Sequence, residues 1–121
     1  MKLASVVALC VALAGILVSA QRKPFTVVDA SIPEMRAALE QGRVTSVEIV
    51  TQSLTRIATY DGILHATLAV DPAALRDAAA RDRERAAGRV RGPLHGIPIA
   101  VKENIQTTTM PTTGGALAFA G

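Results

Sequence analysis

Residues 92–102, GPLHGIPIAVK, constrain the chain more than any other stretch. An apolar run that ends abruptly in one lysine and passes at once into a polar, glycine-bearing loop, ENIQTTTMPTTGGALAFAG, is how an α/β protein delivers a reactive side chain to the carboxyl end of a strand. Lys102 is therefore the candidate site residue. On spacing alone the plainer reading is a strand-end lysine that reaches solvent, and a wider motif has to decide between the two. Pro98 removes one ladder donor, so a strand here pairs incompletely at that point or begins near it.

At the other end, Met1–Ala20 has the pattern of a secretory signal peptide. Lys2 supplies the positive start, residues 3–18 are uncharged and largely apolar, and Val18-Ser19-Ala20 ends on a small residue suited to cleavage. The alternative, an uncleaved anchor, meets a run shorter than the roughly 20 residues a span prefers. Cys10, the sole cysteine, lies inside this leader and follows Leu9, which is too large for a lipoprotein cleavage site. The expected division is 1–20 as signal peptide and 21–121 as the mature part, exported to the periplasm or secreted, with no stable membrane anchor after cleavage.

Composition then excludes several classes of partner. The whole chain carries a net charge of +3, and losing Lys2 with the leader leaves a near-neutral balance. Arginines interleave with acidic residues, and Phe25, Tyr60 and Phe119 are the only aromatics, so neither a phosphate-tracking stripe nor a base-stacking platform is present. Nucleic acid is not an expected partner. Without mature cysteines no disulfide forms, and no Cys/His cluster or HExxH helix offers metal ligands.

Between these ends the chain reads as helices followed by strands. Residues 21–30 form an extended arm in which Phe25, Val27 and Val28 can dock. Ser31-Ile32-Pro33-Glu34 is a capping box opening a short helix to about Gln41, with Met35, Ala38 and Leu39 on one face and Gly42 as terminator. Thr45-Ser46-Val47-Glu48 is a second box, opening a helix with Val47, Val50, Leu54 and Ile57 at helical spacing and a stop near Tyr60-Asp61-Gly62. Residues 63–70, ILHATLAV, alternate as a half-buried strand does, with His65 on the polar side as a surface or capping group. Asp71-Pro72 opens a third helix that ends at Gly88 and carries an Asp77/Arg81 pair. Its Arg81–Arg85 charges alternate in sign, the pattern of a solvated face.

GPLHGIPIAVKENI followed by TTTMPTTGGALAFAG resembles the N-terminal part of the amidase signature family of serine hydrolases. The helical hairpin, LHATLAVDP and AARDRERAAGRVRGPLHG fall in the family's order and spacing, and among its branches the chain resembles the peptide amidases. The resemblance implies an α/β fold: N-terminal helices and the first strands of a central mixed sheet covered by helices, incomplete in this chain. It also implies a Ser, cis-Ser, Lys triad in which Lys102 takes the lysine's place, acting on a small-molecule or peptide amide with no cofactor or metal. A lysine serves as base only as the neutral amine, which burial at the mouth of an apolar sheet favours. His95 and Glu103 resemble scaffold positions, and 110–115, MPTTGG, would begin a loop beside the active site.

The two serines of that triad would lie in a Gly/Ser-rich segment downstream of Gly121. Ser31, Ser46 and Ser53 belong to caps or helix faces, and none has a nucleophile elbow around it. Two readings stay open. One is the N-terminal portion of an exported amidase, inactive alone and prone to aggregate through unpaired strand edges. The other is a small secreted interaction module or decayed gene product.

Overall fold

The computed structural model describes residues 24–119, so the leader expected over Met1–Ala20 lies outside it. Two capping boxes set where the first helices begin. Helix α1, Ile32–Glu40, starts where the Ser31 hydroxyl accepts from the Glu34 amide and the Glu34 carboxylate accepts from the Ser31 amide at 2.8 Å. Helix α2, Ser46–Leu64, repeats the arrangement with Thr45 and Glu48, whose carboxylate accepts from the Thr45 amide at 2.7 Å. Gly42, at φ 63, ends α1: its own amide donates to Leu39 and the Arg43 amide donates to Ala38.

These helices bury one small core. Ala38 and Leu39 of α1 meet Val44 of the connecting turn and Ile49 of α2, and Ile97 inserts from the GIPIAVK run. Phe25, Val27 and Met35 pack on its edge. The arm is fixed by Gln52, whose carbonyl accepts from the Val27 amide at 3.0 Å and whose amide donates to the Phe25 carbonyl at 3.2 Å. Helix α3, Ala74–Ala86, packs against α2 and ends as expected, with Gly88 at φ 71 and the Arg89 amide donating to the Glu84 carbonyl.

Four expectations are corrected. Helix α2 does not stop near Gly62, since Gly62 keeps a helical backbone and the helix runs on through Ile63 and Leu64. The strand expected over 63–70 is replaced by that helix end and by His65 in the left-handed region at φ 48, which makes His65 a cap. Asp61 drives the change, its carboxylate accepting from the Ala66 and Thr67 amides at 2.9 and 2.8 Å and folding the exiting chain back. Asp71-Pro72 forms a turn ahead of α3 instead of its first residues, with the Asp71 carboxylate accepting from the Ala73 amide. Residues 89–101 carry a turn and then a run without regular secondary structure, and no strand occurs among the described residues. A chain segment becomes a strand only beside another strand, and the described residues offer it none.

Candidate functional site

The charged middle of α3 is a clamp, not a solvated face. Asp82 reaches the start of α2, one carboxylate oxygen accepting from the Ser46 amide at 2.7 Å and the other from the Val47 amide at 3.1 Å. Amides that no intrahelical carbonyl can satisfy thus receive a charged acceptor from a neighbouring helix. Glu84 binds Arg91 through both carboxylate oxygens and accepts from Arg81 at 2.7 Å. Those guanidinium hydrogen bonds, Arg91's foremost, lower the Glu84 carboxyl from 4.5 to about 2. Arg81 therefore pairs with Glu84 and not with Asp77, whose carboxylate accepts from Arg76. Only Arg83 of the five lies exposed.

That clamp grips the GPLHG turn. Arg85 donates to the His95 carbonyl at 2.8 Å, and the buried His95 ring spans the Arg91 amide and the Arg81 carbonyl. Since the Arg91 amide donates to Nδ1, Nε2 carries the hydrogen that goes to Arg81 at 2.9 Å. Both ring nitrogens are occupied, so His95 acts as scaffold. Beside it Gly96, at φ 85, lies flat against the fully buried Ser46, and Ile97 then enters the core.

Past Ile97 the chain leaves the core and forms one wall of an open groove of about 1300 Å³. Leu54 and Ile57 of α2 line it together with Leu68, Val70 and Lys102. Lys102 is exposed, and its carbonyl accepts from the Ile105 amide at 2.9 Å, closing a turn directly behind it. Glu103, next in line, also lines the groove, and its carboxylate accepts from the Thr113 amide and hydroxyl. The Thr113 hydroxyl is the chief cause holding its carboxyl below the usual range, against burial, which raises it. Thr109 donates to Asp71 at 3.0 Å, tying the same loop to the start of α3.

Ser31 and Ser46 stand at helix starts, and the Ser53 hydroxyl donates to the Ile49 carbonyl at 2.9 Å, so these serines have the roles their sequence context suggests. Asp82, Glu84 and Gln52 escaped sequence reasoning. The available signal was positional: Arg81, Asp82 and Arg85 follow the buried Ala78 at spacings of three, four and seven, which puts them on the packed side of α3.

The family model described as Amidase matches residues 48–121, more than half of the chain. The glutamyl-tRNA(Gln) amidotransferase subunit of Chloroflexus aurantiacus is 42% identical over 92 residues, covering 75% of this chain and 19% of that protein. Its counterpart from Renibacterium salmoninarum is 44% identical over 92 residues, covering 75% and 18%. Among solved structures, native peptide amidase from Stenotrophomonas maltophilia superposes with a TM-score of 0.74 at 41% identity, over 77% of this chain and 20% of that one. The chain spans about a fifth of the length of these relatives.

Proposed function

Because the chain belongs to the amidase signature family and is similar within it to peptide amidase, we propose that it is the lysine-bearing N-terminal part of an exported amidase. Its substrates are carboxamides, with C-terminal peptide amides the class that the likeness to peptide amidase favours. The observation that carries the reading is the position of Lys102. It ends the apolar GIPIAVK run, within the family-matched residues, and is exposed where it lines the groove.

In the proposed reaction the neutral Lys102 amine draws a proton, through a bridging serine, from a nucleophilic serine. The serine oxygen forms a bond to the amide carbonyl carbon, the C–N bond breaks, and the leaving amine takes up the proton. Water then releases the acyl group from the serine. Both serines would come from a Gly/Ser-rich segment downstream of Lys102, and the remainder of the sheet would wall off the amine from water. Residues 97–101 would there gain strand partners.

Reading the coding sequence past Gly121 is the first test, and a Gly/Ser-rich segment with two serines is the expected result. In the full-length protein, Lys102→Ala should then cut amide turnover at neutral pH by about 10²–10⁴-fold, the range that a positioned proton-transfer group supplies. Unchanged turnover would overturn the lysine's role.

A further inference from the structure

Lys102 and Glu103, adjacent at the turn, both line the groove but differ in exposure and in partners. Lys102 is exposed on the groove, while Glu103 is half-buried and faces back onto the loop over 107–115. One Glu103 oxygen accepts from both the amide and the hydroxyl of Thr113, and the other is buried without a partner among the described residues. Gly114 and Gly115 follow at φ 60 and φ 78, and the Gly115 amide donates to the Thr113 hydroxyl oxygen at 3.3 Å. The Gly115 and Gly114 amides join Thr113 in holding the Glu103 carboxyl below the usual range.

The loop so held is part of the groove. Met110, Pro111, Thr112 and Thr113 line the groove that Lys102 also borders. Thr107 shapes the loop from within, its hydroxyl donating to the Met110 carbonyl at 3.1 Å. That bond fixes the curl of the loop, but among the described residues only Glu103 and the Thr109 bond to Asp71 tie it to the rest of the chain.

We propose that Glu103 is a positioning residue: its carboxylate holds the 110–113 wall of the groove beside Lys102 and thereby seats the amide substrate. The inference rests on the function proposed above. A loosened wall weakens substrate binding more than it slows the chemical step, because the bonds Glu103 makes go to Thr113 of that wall and not to Lys102. In the full-length protein, Glu103→Ala therefore raises KM for a peptide amide about tenfold and leaves kcat within about threefold. Glu103→Gln keeps an oxygen able to accept from Thr113 and restores most of the loss.

An unchanged KM in Glu103→Ala overturns the inference, as does a fall in kcat at constant KM. If Glu103→Ala does not fold, Thr113→Val removes the hydroxyl donor and spares the amide. It should raise KM about threefold, and an unchanged KM there overturns the inference equally. Lys102→Ala separates the two levels. Unchanged turnover in that variant removes the proposed function and this inference with it, whereas lost turnover beside a normal KM in Glu103→Ala removes this inference alone.

Discussion

Gly96 bears the tightest constraint of any residue in the site. Its φ of 85 lies where an L side chain is strained, and a Cβ added there would stand 2.0 Å from the Ser46 hydroxyl oxygen. Ser46 cannot give way, because it is wholly buried at the start of α2 and its amide is held by Asp82. Gly92, four residues earlier in the same segment, has open space around it and no positive φ. Left-handed strain and overpacking together should make Gly96→Ala cost about 2–4 kcal/mol. Gly92→Ala, which meets open space at an ordinary φ, should fall within about 0.5 kcal/mol of the parent. Urea unfolding of both variants in the full-length protein checks the pair, and equal midpoints would mean that the GPLHG turn does not press on α2. The consequence for the site is direct, since Gly96 is the step between the clamped His95 and the Ile97 that anchors the run leading to Lys102.

At the scale of elements, local chemistry was legible in the sequence and distant pairing was not. The two capping boxes, the glycine terminators Gly42 and Gly88, and the apolar face of α1 are written in residues at most five apart, and each appears where its spacing puts it. Alternation over 63–70 misled because Asp61 folds the chain back with its side chain, a local effect that period-two patterning does not see. The α3 clamp was hidden for another reason. Alternating charge looks the same whether the partner is water or another element, and Asp82 finds its partners 36 and 35 residues away. Glu84 gives that clamp a pH signature. Its folded carboxyl lies at about 2 against an ordinary 4.5, so its contribution is complete above about 4.5 and is lost as pH falls through about 2. Glu84→Gln should therefore show a smaller loss of stability than the parent between about pH 5 and pH 2, measured by urea midpoints across that window. Parallel losses in the two proteins would assign the acid sensitivity elsewhere.

At the scale of the whole molecule, the described residues are an arrangement of helices and one irregular run that superposes on part of an amidase signature fold, and their surface reflects that. Ala38, Leu39, Val44, Ile49 and Ile97 make up its core, yet Ile99, Val101 and Ile105 lie exposed along the run that carries Lys102, and Leu68 faces the same groove. Residues of this kind are buried on both faces when such a run sits inside a sheet with helices on either side. The 121-residue chain alone should consequently bind an anilinonaphthalene sulfonate dye and associate as its concentration rises. Ile99→Lys tests whether the run is the cause, because its effect should reverse sign between two settings. In the isolated chain the lysine breaks an exposed apolar strip, so dye binding and association both fall. In the full-length protein the same lysine enters the proposed sheet without a partner charge, and thermal stability drops. A run that is simply surface would give a small effect in both settings. A monomeric isolated chain with no dye binding and a cooperative melt would instead favour a self-sufficient module, and the search for partner strands beyond Gly121 would lose its physical motive.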